Sequence, residues 1–306
     1  MSRDRVRIFE VGPRDGLQNE PRRLGLEKKV RFIHQLMDAG LRDIELGAFV
    51  KSERVPQMAD TDQLVAQVRS RFLKTRMARA WCLVPNRRAL HRALEVGVSQ
   101  IALFTAATES FTQNNIGMSI RESLGEFRAV IEEGRRVLGK SFQVRGYVST
   151  VFGCPFEGSV QPAQALRVIE KMRALGVDQL SVGDTIGVAT PRQVDRVIPS
   201  ALASWGVDRM AVHFHDTRGT ALANVLRALE HGVRIVDSSA GGLGGCPFAP
   251  GAAGNLATED LVYMLEGMGL VTGVDLNRLC EASLEMARAL RRPLTSRYLQ
   301  SYYTKK

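Results

Sequence analysis

Apolar residues occur along the chain in short runs that alternate with longer amphipathic stretches. Eight of these runs have the length of β-strands, and polar or turn-forming residues bound them. The stretches between them have the spacing of helices, with apolar residues recurring every three or four positions. The predicted strands are Arg5–Gly12, Asp43–Val50, Arg79–Val84, Gln100–Ala106, Phe142–Thr150, Gln179–Thr185, Met210–Asp216 and Arg234–Ala240.

The helical stretches contain recognisable start and stop signals. Leu26–Gly40 is one predicted helix, and Thr190–Gly206 is another, with Thr190 as N-cap and Pro191 at the first helical position. Eight strands that alternate with helices over this length predict an α/β fold, a (β/α)₈ TIM barrel. A doubly wound open sheet would alternate similarly, but no G-x-G-x-x-G motif follows the first strand.

The chain contains no low-complexity linker, so we expect residues 1–306 to form a single catalytic domain. The barrel is predicted over about residues 5–270, and a helical C-terminal extension over about residues 271–306.

Polar residues follow several of the predicted strands, and the carboxyl ends of barrel strands form the active face of this fold. Taken singly, Asp15 could cap a turn, Glu45 could pair with an arginine and Asn255 could cap a helix. Their convergence on one face favours a functional site. The candidates are Arg14, Asp15, Glu45, Asp184, Thr185, His213, His215, Cys246 and Asn255.

His213 and His215 lie one residue apart in "HFHD", so on a strand both side chains point to the same face. They could bind one ion, or they could be two unrelated surface histidines. Two imidazoles, a carboxylate and an amide oxygen, with positions left for water or substrate, suit Mg²⁺ or Mn²⁺ better than they suit a thiolate-rich zinc or iron site. The other three histidines fall in predicted helices, which disfavours a binuclear metal hydrolase.

Composition sets broad limits on the class of protein. The content of 44% hydrophobic and 24% charged residues is that of an ordinary soluble protein. No apolar run approaches the roughly 20 residues that cross a bilayer, and the N-terminus has no signal-peptide pattern, so we expect a cytoplasmic protein without a membrane partner. The four cysteines form no C-x-x-C pair, which argues against a disulfide framework or a zinc ribbon.

The net charge of +10 raises the alternative of a basic RNA-binding protein. However, the charge is dispersed, and no aromatic residues interleave with its densest groups, so we expect no nucleic-acid partner. A small ligand with several phosphates would also suit this surface. The densest basic groups are Arg22, Arg23, Lys28 and Lys29, and then Arg87 and Arg88.

Six segments resemble the 3-hydroxy-3-methylglutaryl-CoA lyase family of metal-dependent barrel enzymes. They are "EVGPRDGLQNE", "VPQMAD", "GCPFEG", "GDTIGVATP", "HFHDTRGTALAN" and "GGLGGCPFAPGAAGNLATEDLVYML". The resemblance implies an acyl-CoA substrate whose C2–C3 bond is cleaved, 3-hydroxy-3-methylglutaryl-CoA being the expected one.

The resemblance also implies a role for each candidate residue. Asp15, His213, His215 and Asn255 would hold the divalent cation, Mg²⁺ or Mn²⁺, and His213 is also a catalytic candidate. Arg14 would stabilise an enolate, and Cys246, on a glycine-rich loop, would take part in proton transfer. Glu45 and Asp184 would have further active-site roles.

Three positions depart from the family pattern. Pro21, Ala48 and Arg218 stand where lysine, serine and tyrosine are expected, so a different 3-hydroxyacyl-CoA remains an alternative substrate. A related Claisen-type condensing enzyme is a further alternative, although such enzymes carry a longer C-terminal portion. For the oligomeric state, a homodimer is the working hypothesis.

Overall fold

Eight parallel strands close into a barrel in the computed structural model. The structure describes residues 4–75, 78–246 and 249–303, and it does not describe the side chains of 246–253 and 303. Each strand pairs with the next along the chain, and the last pairs with the first. The predicted TIM barrel is confirmed. Its strands are β1 (Arg7–Glu10), β2 (Asp43–Ala48), β3 (Arg79–Leu83), β4 (Gln100–Ala106), β5 (Gln143–Ser149), β6 (Gln179–Asp184), β7 (Met210–Phe214) and β8 (Ile235–Ser238).

Helices surround the barrel and follow its strands in the chain. The predicted helix starting at Pro191 is present, with Thr190 as its N-cap. The helices are α1 (Leu26–Asp38), α2 (Thr61–Lys74), α3 (Arg87–Glu95), α4 (Glu109–Ile116), α5 (Ile120–Leu138), α6 (Pro162–Ala174), α7 (Pro191–Trp205), α8 (Ala221–Glu230), α9 (Thr258–Gly267), α10 (Leu276–Leu290) and α11 (Arg297–Tyr303).

The C-terminal extension consists of α10 and α11. Helix α10 packs on α1 and α9 and buries Leu279, Cys280 and Met286. These residues belong to the same apolar cluster as the side chains between the barrel strands and the outer helices. Among the described residues, none of the helices is both long and apolar enough to cross a membrane.

Two small antiparallel hairpins lie in loops beyond strand ends. Gly153–Cys154 pairs with Gly158–Ser159 after β5, and Gly245–Cys246 pairs with Ala249–Ala253 after β8. Both loops therefore add local structure at the mouth of the barrel, where the candidate site residues lie.

Candidate active site

Arg14 and Asp15 lie on a single π-helical turn, Gly12–Gly16, that follows β1 directly. The backbone N–H groups of residues 14, 15 and 16 all donate to the carbonyl of Val11. The turn packs so closely on the end of β8 that a Cβ at Gly16 would lie 2.7 Å from Ser239 Oγ. Glycine at this position therefore allows the turn to hold both side chains at the barrel mouth.

His213 and His215 lie at the end of β7, and Asn255 is brought beside them by backbone pairing. The segment around Asn255 forms an antiparallel bridge with His215, and Asp216 N donates to Gly254 O at 2.6 Å. Helix α9 has Ala257 as its N-cap, so Asn255 is not the helix cap that its position in the sequence had allowed.

Asp15, His213 and His215 form a group in which one ligand atom from each lies within 4.8 Å of the others. The ring centroids of the two histidines are 5.2 Å apart, and His213 Nε2 is 4.0 Å from Asp15 Oδ2. Asn255 Nδ2 donates to Asp15 Oδ2 at 2.9 Å and to Leu243 O at 3.2 Å. The amide orientation is fixed by these two bonds.

These residues fit a divalent cation. The carbonyl oxygen of Asn255 is buried and has no hydrogen-bond partner within the described ranges, although such an oxygen normally has one. Together with the Asp15 carboxylate and two imidazoles, it completes a set of oxygen and nitrogen donors suited to a hard or borderline cation.

The protonation states also favour cation binding. Burial raises the pKa of Asp15, but Arg14 and the two histidines outweigh it and hold that pKa at about 2. Burial, with a smaller effect of His213, lowers the pKa of His215 to about 3. At neutral pH, Asp15 is therefore ionised and His215 is neutral, the forms that bind metals.

Arg14 is held between two carboxylates. Its Nε and Nη2 both lie 2.7 Å from Glu45 Oε2, and its Nη1 donates to Asp15 Oδ1 at 2.7 Å. Tyr147 donates its hydroxyl to the same Glu45 oxygen at 3.2 Å. Burial raises the pKa of Glu45, and the adjacent Arg14 guanidinium opposes that shift. Glu45 therefore pairs with an arginine, which was the non-catalytic interpretation of this residue from the sequence. The ion pair also fixes Arg14 beside Asp15.

Asp184 ends β6 and turns towards the next loop. Its two carboxylate oxygens accept from Val188 N and Ala189 N, each at 3.0 Å. Burial raises its pKa to about 6. Its observed contacts order the loop before α7. The Thr185 hydroxyl accepts from Thr150 N at 2.9 Å and so joins the end of β6 to the loop after β5.

Cys246 lies in the hairpin after β8, but its side chain is outside the described part of the structure. The other three cysteines, Cys82, Cys154 and Cys280, are buried and form no disulfide.

Several charged and polar residues inside the barrel were not among the candidates predicted from the sequence. Arg145 and Asp237 are fully buried and form an ion pair across the lumen, and Tyr147 lies above them. The sequence feature that could have identified them is a charged residue within a predicted strand: Arg145 in "QVRGYVS" and Asp237 in "IVDS".

The three positions that depart from the family pattern have different surroundings. Arg218 Nη1 donates to the backbone carbonyls of Ile186 and Gly187, at 2.8 and 3.2 Å, and so braces the loop that Asp184 orders. Ala48 is buried at the end of β2, whereas Pro21 is exposed.

The chain is similar to proteins of known activity over nearly its whole length. A family model described as HMGL-like matches residues 5–285. The cytoplasmic 3-hydroxy-3-methylglutaryl-CoA lyase of Rattus norvegicus is 45% identical over 298 residues, which are 97% of this chain and 85% of the rat protein.

Solved structures show the same similarity. The hydroxymethylglutaryl-CoA lyase of Pseudomonas aeruginosa is 42% identical with a TM-score of 0.94, over 99% of each chain. An HMG-CoA lyase of Acinetobacter baumannii in complex with coenzyme A and 3-methylmalate is 35% identical with a TM-score of 0.91, over 98% of this chain and 96% of that one.

Proposed function

The chain belongs to the HMGL-like family, and from that premise we propose that it cleaves 3-hydroxy-3-methylglutaryl-CoA to acetoacetate and acetyl-CoA. The observation that supports this most directly is the Asp15, His213 and His215 group beside the fixed Arg14 guanidinium. The solved complex of a relative with coenzyme A supports an acyl-CoA substrate for this chain.

The reaction breaks one carbon–carbon bond and moves two protons. The C3 hydroxyl loses its proton, the C2–C3 bond breaks, and its electron pair moves into the departing thioester as an enolate. The enolate then takes a proton at C2 to give acetyl-CoA. The site must therefore stabilise negative charge at the hydroxyl oxygen and at the thioester oxygen.

Asp15, His213, His215 and Asn255 would hold Mg²⁺ or Mn²⁺. When bound, such a cation lowers the pKa of the substrate hydroxyl and orients it. We assign His213 to the ligand set rather than to proton transfer, because its Nε2 faces the Asp15 carboxylate.

Arg14 would meet the negative charge that develops on the thioester oxygen. Glu45 and Asp15 fix the guanidinium from two sides, so little reorganisation is needed as that charge appears. Asp184 would act by ordering the loop before α7. Cys246 remains our candidate for the acid that protonates the enolate carbon.

A purified-enzyme assay over a panel of 3-hydroxyacyl-CoA thioesters tests this function. We expect 3-hydroxy-3-methylglutaryl-CoA to give acetoacetate and acetyl-CoA, activity to be lost after chelation, and Mg²⁺ or Mn²⁺ to restore it. Full turnover in chelator-treated protein would contradict the metal assignment. Preference for another thioester would indicate that positions such as Ala48 or Arg218 set the substrate specificity. Condensation of acetyl-CoA with a 2-oxo acid would instead indicate a condensing enzyme.

The remaining expectations concern partners and compartment. We propose a cytoplasmic enzyme that acts as a homodimer without a nucleic-acid or membrane partner. Filter binding of RNA over a salt series tests the basic-protein alternative, because phosphate contacts give a steep salt dependence.

A further inference from the structure

His213 lies between two carboxylates inside the barrel. On one side its Nε2 is 4.0 Å from Asp15 Oδ2, and on the other its Nδ1 is 3.4 Å from Asp237 Oδ2. Asp237 and His213 are direct register partners on the neighbouring strands β8 and β7. The approach of Asp237 is an ion-pair contact rather than a formed hydrogen bond, and His213 Nδ1 has no hydrogen-bond partner in the part of the chain that the structure describes.

Asp237 is itself fixed by other contacts. The hydroxyl of Ser181 donates to its Oδ2 at 2.7 Å, and the Arg145 guanidinium donates to its Oδ1. Arg145 also donates to Gln179 Oε1, and its Cζ lies 3.7 Å from the ring centroid of Phe9. The carboxylate is therefore ionised and has one orientation, with Oδ2 towards His213.

The second histidine has no carboxylate in this position. His215 Nδ1 is buried, and among the described residues no carboxylate oxygen lies within 4.0 Å of it. A fully buried ion pair such as Arg145–Asp237 is costly, and an apolar pair of similar volume is often at least as stable. Stability alone therefore does not explain why charged groups occupy the lumen directly behind one of the two histidines.

We propose that Asp237 is a positioning residue that keeps the proton of His213 on Nδ1, so that the Nε2 lone pair is available for the divalent cation. In neutral imidazole only one nitrogen carries a proton, and the partner of that nitrogen selects the tautomer. This inference rests on the proposed metal-dependent function, since it concerns a ligand of the same site.

Asp237→Asn tests the inference because the barrel dictates how the amide would lie. Arg145 has only donors, so it would hold the carbonyl oxygen of the new amide at the present Oδ1 position. The NH₂ group would then face His213 Nδ1 and require a lone pair there. His213 would carry its proton on Nε2, the tautomer that cannot bind the cation.

Mn²⁺ affinity of the purified full-length chain is the first measurement, by isothermal titration. We expect Asp237→Asn to weaken Mn²⁺ binding by about 10–100-fold, the usual effect of removing the group that orients a metal-binding histidine. The matched control is Asp43→Asn. Asp43 is also a buried barrel aspartate that pairs with an arginine, at 2.7 Å from Arg79, but it lies at the start of β2. This control is expected to lower thermal stability while changing Mn²⁺ affinity less than about twofold.

The second measurement uses the wild-type protein without metal, so it does not depend on a variant that folds. At a pH above the His213 pKa, where the ring is neutral, long-range ¹H–¹⁵N NMR of histidine-labelled protein reports the tautomer of each ring, with His213→Gln for assignment. We expect the Nδ1–H tautomer at His213. The Nε2–H tautomer there, or equal losses of affinity in the two aspartate variants, would overturn the inference while leaving the metal site intact. Absence of Mn²⁺ binding to the wild type would instead contradict the proposed function.

Discussion

The two histidines of "HFHD" differ chemically although they share one strand face. In the described ranges, no carboxylate oxygen lies within 4.0 Å of the buried His215 Nδ1, whereas His213 faces a carboxylate through each of its ring nitrogens. If they share one cation, His213→Ala and His215→Ala should each lower Mn²⁺ affinity on the order of 100-fold or more, with activity falling in parallel. Isothermal titration and the lyase assay measure the two effects.

The double variant distinguishes a shared site from two separate residues. It should be little worse than either single variant, because residues that act as one unit are not additive. His91→Ala is the control, since His91 lies on helix α3 and pairs with Glu133. Unchanged Mn²⁺ affinity in the double variant would remove the metal site from β7.

The pH dependence of metal binding should report a single proton. Asp15, with a pKa of about 2, and His215, with a pKa of about 3, are both unprotonated from pH 5 to 8. Burial lowers the pKa of His213, but Asp237 and Asp15 outweigh it and raise that pKa above 6.5. Below the His213 pKa a cation must displace this proton, so the logarithm of Mn²⁺ affinity should fall by about one per pH unit. A slope near two, or none, would contradict this assignment.

Arg14 is the side chain whose removal should affect the chemical step most selectively. Arg14→Gln should lower kcat by about 10²–10⁴-fold, the usual loss when a group aimed at transition-state charge is removed. Mn²⁺ affinity should remain within a few-fold of wild type. The control is Arg227→Gln on helix α8, where the arginine pairs with exposed carboxylates. A raised KM with unchanged kcat would show that Arg14 only binds substrate.

From the sequence alone, side chains could be associated where topology brings them together. Asp15 follows β1, whereas His213 and His215 lie at the end of β7, and the rule that strand ends share one face associates them. Asp237 and Arg145 were missed because they meet across the lumen, 92 residues apart in sequence. Such pairing depends on the barrel register and on side-chain rotamers. The alternation of apolar and polar residues along a single strand predicts neither of them.

At the scale of elements, the sequence predicted all eight barrel strands, because each is a short apolar run bounded by polar or turn residues. Seven of the observed strands are shorter than predicted, since runs such as Arg5–Gly12 continue past the last pairing residue into the loops, and the eighth, Gln100–Ala106, has the predicted bounds. The π-helical turn Gly12–Gly16 and the two hairpins were not predicted. They are too short to show a period, and tertiary packing on neighbouring loops selects them.

Glu259 joins three elements and makes their packing sensitive to pH. It lies in the first turn of α9, accepts from Gly241 N at 2.7 Å and accepts the Ser283 hydroxyl of α10. Burial raises its pKa to about 8. The folded state therefore binds the proton more tightly than the unfolded chain, so this group's contribution is fully present below about pH 4.5 and is lost as pH rises through 8.

Glu259→Gln should remove that part of the pH dependence, because glutamine resembles the protonated carboxyl. Relative to wild type, the variant should gain about 1–3 kcal/mol of unfolding free energy between pH 6 and pH 9. Urea unfolding at both pH values measures the difference. Glu285→Gln, at a half-buried position on α10, should show the wild-type pH dependence. Parallel curves for wild type and Glu259→Gln would contradict the prediction.

At the scale of the whole molecule, the barrel and its C-terminal extension share one apolar cluster, which includes Leu279 of α10. We therefore expect residues 1–306 to unfold as one cooperative unit.

Leu279→Ala should lower the unfolding free energy by about 2–5 kcal/mol, the usual cost of such a truncation in a core. The loss should be equal by far-UV circular dichroism and by tryptophan fluorescence. The two tryptophans are Trp81, which packs with Phe9 inside the barrel, and Trp205 at the end of α7. Leu73→Ala, at an exposed position of α2, should change neither signal by more than about 0.5 kcal/mol. If the extension were independent, its helical signal would be lost at a lower denaturant concentration, while the fluorescence transition would keep its wild-type midpoint. That result would divide the chain into two domains.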